Sequence, residues 1–294
     1  MSNTLGIIGL GNAGSALANA LSGRIPLIGY DASPARRDAV AKLDLTWVGS
    51  AAEVAAKSET VLLSLPKPDI SRAVVAEILG GETRPATVIE TSTITPRTAR
   101  ELGEACAAAG VAFVDAAIGG GVQSMAEGKV TFLVGGDAAA FARAKPVLDL
   151  LAAAIHHLGP VGAGSGAKIV NNGVMHALMV VLIEAAAMGK KLGIETPKLV
   201  EILGRPDGIR RPLEHRVKER MIPGNYNGGM SVMNARKDSA LALETAQDYG
   251  VPLFATLAAH TPYEIAQQKG MGDLDYASLA KLWEEWCDLD FSDK

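Results

Sequence analysis

An apolar run, a glycine-rich turn and a helical segment follow one another at the start of the chain, and this order restricts the fold more than any other feature. Residues 5–9 read LGIIG, residues 9–14 read GLGNAG, and the alanine-rich residues 15–21 predict a helix. A GxGxxG turn between a strand and a helix indicates a dinucleotide-binding unit, whereas the same letters without that context carry little information. The residues predicted to bind the dinucleotide here are Gly9, Gly11, Asn12, Ala13 and Gly14.

The three glycines of this turn have different expected roles. Gly9 permits the tight turn, Gly11 lets the backbone approach a pyrophosphate, and Gly14 lets the helix pack closely on the strand. The N-terminus of the helix adds free N–H groups and the positive end of its dipole. The turn is therefore suited to an anionic, phosphate-containing ligand.

An acidic residue follows the second predicted strand, which covers residues 25–30. Asp31 lies 17 residues after Gly14, close to the roughly 20 expected for the acid that binds the adenosine ribose hydroxyls. Its carboxylate would repel the 2′-phosphate of NADP, although Arg36 or Arg37 could accept that phosphate. The alternative is that Asp31 is only a turn residue. The acid predicts NAD as the cofactor, with NADP less favoured.

Strand-like runs alternate with helical segments through the following part of the chain. Such alternation predicts an α/β fold in which a doubly wound parallel sheet carries helices on both faces, that is, a Rossmann domain. One of the runs, which begins at Lys129, is predicted to form a hairpin with the strand before it. The further strands are predicted at residues 45–48, 61–65, 86–90, 111–115, 129–135 and 154–158.

Polar loops follow two of these strands at the end where such sheets bind ligands. Residues 64–68 read SLPKP and residues 91–96 read TSTITP, so both loops could contact a cofactor. Thr93 or Thr95 could instead cap the helix that begins at Pro96. The two roles are compatible.

Three consecutive glycines, Gly119, Gly120 and Gly121, are predicted to lie just beyond the strand at residues 111–115. Glycines at such a place offer bare backbone N–H groups to an anion such as a carboxylate. The alternative is a flexible turn that leads into the hairpin strand. The residues by themselves are compatible with both interpretations.

Residues 162–193 predict a long helix that is entered through a glycine-rich loop. Its apolar positions recur around most of the circumference, which is typical of a helix buried between two bodies. Lys168, Asn171 and Asn172 interrupt that pattern in the first turns. Lys168 and Asn172 are four residues apart and share a face, so they could reach one small ligand. A lysine that extends to solvent and an asparagine that caps a frayed end are the alternative.

A membrane span is the rival interpretation of the same stretch. Polar residues at Asn171, Asn172, His176 and Glu184 interrupt the apolar run before it reaches the ~18 residues that a spanning helix needs. No membrane association is therefore expected.

Only helical segments are predicted after residue 196. The expected organisation is a dinucleotide-binding domain at residues 1–161 and an all-helical domain at residues 162–294. Lys237 and Asp238 fall near the predicted start of a helix at residues 234–249. The helix dipole favours the aspartate there but disfavours the lysine, which suggests that Lys237 contacts a ligand.

Composition and charge exclude several classes of protein. The chain has 294 residues and a net charge of −4 with both signs interspersed, so it lacks the basic face that nucleic-acid binding requires. The first residues do not resemble a signal peptide, and two distant cysteines are too few for a disulfide framework. We expect a cytoplasmic protein with no metal site.

Five motifs in order resemble the β-hydroxyacid dehydrogenase family, which includes 3-hydroxyisobutyrate dehydrogenase and tartronate semialdehyde reductase. The resemblance covers nearly the whole chain. The motifs are GLGNAG at residues 9–14, TSTITP at 91–96, DAAIGGGVQSMAEGKV at 115–130, GAGSGAKIVNN at 162–172 and KDSALALETA at 237–246.

The resemblance implies a Rossmann domain, a long interdomain helix and a helical C-terminal domain that also forms a homodimer or homotetramer. It implies hydride transfer between NAD(P) and a small 3-hydroxy carboxylic acid, or the matching semialdehyde. By the same resemblance Lys168 is the general acid and base, Asn172 and the 119–121 glycines bind substrate, and the remaining cofactor contacts are Leu65, Pro66, Thr93 and Lys237.

Two departures from the family pattern leave the substrate open. The family usually has serine where this chain has Gly119, and an apolar residue near Asn234, which is accordingly a candidate substrate contact. An imine reductase-like enzyme is one alternative, and a catalytically silent dinucleotide-binding interaction protein is another. Lys168 argues against both, because imine reductases lack the catalytic lysine and a silent protein would not need it.

Overall fold

The computed structural model describes residues 4–292, and its internal contacts divide the chain into two compact units, one ending at Gly173 and one beginning at Val174. The division falls inside the long helix rather than before it. The first unit is built on an eight-stranded sheet. Its strands are β1 (Leu5–Ile8), β2 (Leu27–Tyr30), β3 (Leu45–Trp47), β4 (Thr60–Leu63), β5 (Thr87–Glu90), β6 (Ala112–Gly119), β7 (Val130–Gly135) and β8 (Ala152–His157).

Helices connect these strands and cover the sheet. Side-chain caps begin two of them: Ser50 accepts a hydrogen bond from the N–H of Glu53, and Thr95, one of the two predicted cap candidates, accepts one from the N–H of Thr98. The helices are α1 (Asn12–Leu21), α2 (Arg36–Ala39), α3 (Ala51–Lys57), α4 (Pro68–Gly80), α5 (Pro96–Ala108), α6 (Val122–Ala126), α7 (Ala138–Asp149) and the first residues of α8 (Ala163–Lys191).

The strand order is β3-β2-β1-β4-β5-β6-β7-β8, which confirms the predicted doubly wound sheet. All neighbours are parallel except β6 and β7, the predicted hairpin. The chain moves outward in one direction from β1 to β3 and in the other from β4 onward. Ligands of such sheets bind at this switch point, outside the carboxyl ends of β1 and β4.

The sheet is buried on both faces, as a sheet covered by helices must be. Ile7 packs into an apolar cluster with Leu62 and Phe132, whereas its neighbour Ile8 packs into a second cluster with Leu63. Successive side chains of a strand point to opposite faces, so β1 contributes to both clusters. The core is aliphatic and places the ends of β1, β4, β5 and β6 rigidly beside one another.

Strand β6 is longer than its sequence suggests. It continues to Gly119, which pairs with Thr131 of β7, so the first glycine of the 119–121 loop lies inside the strand and not beyond it. The hairpin pairing accounts for this, because an antiparallel partner supplies hydrogen bonds that apolar patterning alone does not reveal. A short helix, α6, follows the glycines, where one of the two interpretations was a flexible turn into the hairpin strand.

The regular elements among the described residues of the second unit are all helical, as predicted, and one isolated antiparallel bridge joins Ser231 to Asp275. Two segments differ from regular α-helix: residues 212–221 form a π-helix, and the predicted last helix is a 3₁₀ turn followed by a short α-helix. The elements after α8 are α9 (Thr196–Leu203), the π-helix (Pro212–Met221), α10 (Val232–Asp248), α11 (Phe254–Gln268), the 3₁₀ turn (Tyr276–Leu279) and α12 (Ala280–Cys287).

Helix α10 begins earlier than predicted. Ser231 caps it by accepting a hydrogen bond from the N–H of Asn234 at 3.2 Å, so the helix starts at Val232. Lys237 therefore lies in the second turn and not at the helix start. The dipole argument for a ligand at Lys237 is wrong for this reason, because the effect decays within the first turn.

The long helix α8 was expected to be buried, but within this chain many of its apolar side chains are exposed. Val174 is 60% exposed and Ile183 is 56% exposed. By length and composition alone α8 is able to cross a membrane. Its polar residues do not lower the hydropathy enough to exclude this, because one 18-residue stretch of the helix has a mean hydropathy of 1.6. Such a helix is weak support for a span, because core helices of soluble proteins meet the same criterion. The absence of membrane association stays a prediction.

Glu184 gives α8 a specific role inside the second unit. The residue is only 5% exposed. Its carboxylate accepts hydrogen bonds from the N–H of Ala255 at 2.7 Å, the N–H of Thr256 at 3.1 Å and the hydroxyl of Thr256 at 2.8 Å. Burial raises the pKa of Glu184, but these hydrogen bonds outweigh it, and the pKa is lowered from its ordinary value. The ionised side chain caps the N-terminus of α11.

Replacing Glu184 by Gln should destabilise the second unit by about 1–3 kcal/mol, because buried N–H donors of α11 lose a charged acceptor. The wild-type contribution is present above the unfolded carboxyl pKa and is lost as the pH falls through the lower folded pKa. We expect urea midpoints of wild type and Glu184→Gln to converge in acid. The exposed Glu201, paired with Lys198, is the control, and Glu201→Gln should cost less than about 1 kcal/mol at any pH.

Candidate active site

The glycine turn after β1 has the close contacts that its spacing predicts. Gly9 has φ 91°, and a side chain there would collide with the carbonyl oxygen of Ser64. A side chain at Gly14 would collide with the carbonyl oxygen of Gly9. At Gly11, by contrast, an added Cβ would meet nothing within 4 Å. Gly9 and Gly14 hold the turn together, and the open space beside Gly11 fits a dinucleotide.

Asp31 joins this turn to the end of β2. Its carboxylate accepts hydrogen bonds from the N–H of Leu10 at 2.7 Å and from the N–H of Ser33 at 2.8 Å. The acid is therefore fixed beside the glycine turn, and each oxygen keeps a further lone pair for a ligand hydroxyl. The turn-residue role and the ribose-binding role of Asp31 are compatible.

A cleft of about 580 Å³ opens over the ends of β1, β2 and β4. Arg36 lines the same cleft as Asp31. The cleft therefore contains both a carboxylate that would repel the 2′-phosphate of NADP and a cation that could bind it. Gly14 lies beneath the turn and outside the lining. Ile70 and Val74, which sequence reasoning missed, add an apolar wall from α4. Of the predicted cofactor residues, the cleft brings together Gly9, Gly11, Asn12, Ala13, Asp31, Leu65 and Pro66.

A chain of hydrogen bonds fixes the loop that carries Leu65. The N–H of Leu65 donates to the Ser92 hydroxyl at 2.7 Å, and the N–H of Ser92 donates to the Glu90 carboxyl at 2.8 Å. Burial, with a smaller effect from the charge of Asp115, raises the pKa of Glu90. Sequence reasoning missed Ser92 and Glu90, although an acid at the end of the apolar run VIE is a visible signal.

Thr93 and Thr95 have separate roles. Thr95 is the helix cap, because its hydroxyl accepts a hydrogen bond from the N–H of Thr98 at 3.2 Å. Thr93 is exposed in the loop after β5 and is not needed as a cap. Its hydroxyl remains available for the predicted cofactor contact.

The glycines at the end of β6 lead into a helix start. Gly120 has φ 130°, a conformation that L residues rarely adopt, and Gly121 caps α6. The first N–H groups of α6 have no carbonyl partner within their own helix. Gly119 is the last residue of β6, and the anion-binding role of Gly119, Gly120 and Gly121 stays a prediction.

Lys168 lies in the second turn of α8 and is half-buried. Loss of solvent around its amine lowers the pKa of Lys168 from its ordinary value. Asn172 is also half-buried, one turn further along the same face, whereas Asn171 is exposed. Partial burial of both side chains favours the site interpretation over solvated side chains, and their substrate and catalytic roles stay predictions.

Two further predicted site residues lie on α10 in the second unit. Asn234 and Lys237 are both exposed, and the Lys237 amine forms an ion pair with Asp238 at 2.8 Å. Their substrate and cofactor roles stay predictions. Within residues 4–292 no three His, Cys, Asp or Glu side chains come close enough to hold a metal ion.

Two family models match the chain. One, described as the NAD binding domain of 6-phosphogluconate dehydrogenase, matches residues 4–159. The other, described as the NAD-binding of NADP-dependent 3-hydroxyisobutyrate dehydrogenase, matches residues 162–283. Both descriptions name NAD binding, which confirms the dinucleotide that the glycine turn predicts.

Individual relatives match over almost the full length. The 2-(hydroxymethyl)glutarate dehydrogenase of Eubacterium barkeri is 30% identical over 285 residues, which cover 96% of this chain and 95% of that protein. The structure of 3-hydroxyisobutyrate dehydrogenase from Mycobacterium tuberculosis with L-serine has a TM-score of 0.67 at 28% identity, covering 96% of this chain and 99% of that one. An imine reductase from Myxococcus stipitatus in complex with NAD⁺ has a TM-score of 0.82 at 21% identity, with 96% and 99% covered, and shares the fold.

The different surroundings of Gly11 and Gly14 predict different effects of an added methyl group. Gly11→Ala should leave the unfolding midpoint unchanged, because its Cβ meets no protein atom, and should weaken NADH binding at least ~10-fold by blocking close approach of the pyrophosphate. Gly14→Ala should lower the unfolding midpoint, because its Cβ collides with backbone. Thermal unfolding and fluorescence titration with NADH measure both. Unchanged NADH affinity in Gly11→Ala would place the pyrophosphate elsewhere.

Proposed function

Because the chain belongs to the β-hydroxyacid dehydrogenase family, we propose that it oxidises a small 3-hydroxy carboxylic acid with NAD, or reduces the matching semialdehyde with NADH. The observation that carries the proposal is Lys168, whose amine is half-buried and has a lowered pKa. A basic amine of this kind is what the oxidation of an alcohol requires.

The named relatives point to a shared substrate chemistry. 2-(Hydroxymethyl)glutarate and 3-hydroxyisobutyrate, after which two of them are named, both carry a hydroxymethyl group on the carbon next to a carboxylate. L-Serine, present with one relative, has the same arrangement. We infer a substrate of this class for the present chain, and its side group is left open because Gly119 and Asn234 depart from the family pattern.

Lys168 would move the proton in this reaction. The hydroxyl proton must leave oxygen as the hydride leaves carbon, so a base has to lie within hydrogen-bond reach of that oxygen. An ordinary lysine is almost fully protonated at neutral pH. Desolvation disfavours the ammonium form of Lys168, which increases the fraction of neutral amine able to accept the proton. In the reverse direction the same amine returns it.

Other residues would hold the reactants. Asn172, on the face of α8 that carries Lys168, would orient the substrate without exchanging a proton. Gly119, Gly120 and Gly121 would bind the substrate carboxylate through backbone N–H groups, with one hydroxyl donor fewer than a serine at Gly119 would provide. NAD, when bound over the glycine turn, supplies the hydride acceptor.

The chain's assembly and location form part of the same proposal. We infer a homodimer or homotetramer, supported by large exposed apolar side chains in the second unit, among them Val174, Ile183 and Phe254. Apolar surface of this extent is typical of an interface between subunits. A reducing, cytoplasmic environment suits Cys106 and Cys287, which are both free thiols.

Lys168→Ala should lower kcat for hydroxyacid oxidation by about 10²- to 10⁴-fold, the usual effect of removing a general base, with little change in NADH affinity. Lys168→Arg should not restore activity, because guanidinium does not deprotonate in this range. Wild-type kcat/KM should rise with pH through a pKa below that of free lysine. Steady-state kinetics beside NADH titration measure these effects, and near wild-type kcat in Lys168→Ala would eliminate the mechanism.

A substrate panel supplies the control for that experiment. 3-Hydroxyisobutyrate, L-serine and 2-(hydroxymethyl)glutarate are assayed beside their methyl esters and a cyclic imine. Free acids should be oxidised and the esters should not. Equal rates for acids and esters would reject the carboxylate role of Gly119–Gly121, and turnover of the imine alone would reject the dehydrogenase assignment.

Asp31 should make NAD the preferred cofactor over NADP, because its carboxylate repels a 2′-phosphate. Asp31→Ser should narrow that preference by removing the charge. Arg36→Ala should widen it, because Arg36 lines the same cleft and is the cation able to accept the phosphate. The ratio of kcat/KM with NAD to kcat/KM with NADP is the measurement. A wild-type kcat/KM that is higher with NADP than with NAD would contradict the role of Asp31.

A further inference from the structure

Asp115 is a buried acid in β6 for which the proposed reaction has no direct use. The residue is 1% exposed. One carboxylate oxygen accepts a hydrogen bond from the N–H of Gly162 at 2.8 Å, and the other accepts one from the N–H of Ser165 at 2.6 Å. Both donors lie about fifty residues further along the chain, at the start of α8. The side chain therefore ties β6 to this helix.

The position of these donors matters because of what α8 carries. Gly162 comes directly before the helix and Ser165 lies in its first turn. The first N–H groups of a helix have no acceptor within it, and a carboxylate there complements the helix dipole. Lys168 is three residues after Ser165, so its side chain leaves the helix one turn above the anchored N–H. Because one carboxylate accepts both hydrogen bonds, it fixes the position of that turn along the helix axis and its rotation about the axis.

Close backbone contacts remove the remaining freedom. A side chain at Gly164 would collide with the carbonyl oxygen of Leu133, and its Cβ would be 2.6 Å from the carbonyl oxygen of Asp115. A Cβ at Gly135 would be 2.5 Å from the Asp115 carboxylate and 2.7 Å from the carbonyl oxygen of Pro160. β6, β7 and the start of α8 thus meet at backbone distance, which leaves the helix no room to slide.

We propose that Asp115 is a positioning residue for proton transfer: by binding the N–H groups of Gly162 and Ser165 it sets where α8 holds the amine of Lys168. This inference rests on the proposed role of Lys168. A purely structural role would lower kcat whether or not Lys168 is present. A positioning role predicts that changing Asp115 lowers kcat only when Lys168 is present.

The test is a double-mutant cycle on the full-length protein, with kcat for hydroxyacid oxidation and the Kd for NADH as readouts. Asp115→Asn replaces one acceptor oxygen by an amide donor that cannot accept the second N–H. We expect kcat to fall ~10- to 100-fold, the order expected for misplacing a catalytic group by about 1 Å, while the Kd for NADH stays within about twofold. In a Lys168→Ala background the same change should cause no further loss, because coupled residues are non-additive.

Asp137 provides the matched control. It caps α7 by accepting the N–H of Ala140 at 2.7 Å, and its helix carries no residue of the proposed site. Asp137→Asn is assayed at the same protein concentration and temperature, and it should leave kcat unchanged whatever its effect on the unfolding midpoint. If Asp115→Asn proves too unstable, Asp115→Glu keeps the charge while displacing the helix start, and the same loss of kcat is expected.

Three results would overturn the inference. These are a kcat of Asp115→Asn within twofold of wild type, an equal fractional loss in the Lys168→Ala background, or a kcat loss of the same size in Asp137→Asn. Failure of the proposed function looks different, because Lys168→Ala would then keep near wild-type kcat before Asp115 is changed at all.

Discussion

The first turn of an α-helix contains N–H groups that no carbonyl of the same helix can accept, and each needs a partner from elsewhere. In this molecule those partners define the functional geometry. The start of α1 faces the open space beside Gly11, where a pyrophosphate fits. The start of α8 is bound by Asp115, and the start of α11 is bound by Glu184. The same requirement of helical backbone is thus met by buried carboxylates at two helices, while the start of α1 is left open for a ligand.

Glycine residues bring these helix starts close to their partners, because a side chain at the same position would keep the two backbones apart. Gly14 lets α1 touch the turn it follows, and Gly164 lets α8 touch the carbonyl groups of β6 and β7. At both places a methyl group would collide with backbone. Gly11 differs, because a Cβ added there would meet no protein atom within 4 Å. The same residue type therefore allows close packing at two positions and leaves open space at the third.

Two buried acids lie side by side in the sheet, one at the carboxyl end of β5 and one in the middle of β6. Glu90 and Asp115 are register partners on neighbouring strands, and burial raises the pKa of Glu90. Asp115 accepts two backbone N–H bonds that stabilise a carboxylate, whereas one Glu90 oxygen has no hydrogen-bond partner among the described residues. Each acid then fixes a different segment, the Leu65 loop and the start of α8.

Features whose parts are adjacent in the chain could be predicted from the sequence. The order of strand, glycine turn and helix predicted α1 and the cleft, and Asp31 fell beside that turn because β2 follows within one βαβ unit. The alternation of strands and helices predicted the sheet, and the five motifs predicted the family. Lys168 and Asn172 were found because four residues of helix bring side chains to one face. These inferences need only local geometry.

Tertiary structure decided what the distant partners do. Ser92 accepts the N–H of Leu65 from 27 residues away, and Asp115 reaches Ser165 across 50 residues. The sequence around Ser92 or Asp115 does not indicate which distant N–H group each will bind. The partner depends on which strands lie side by side and on where the start of α8 packs. The sequence by itself determined which residues could do chemistry. The packing of β5, β6, β7 and α8 decided which of them hold the others in place, because a hydrogen bond between distant segments exists only after the sheet has set their distance.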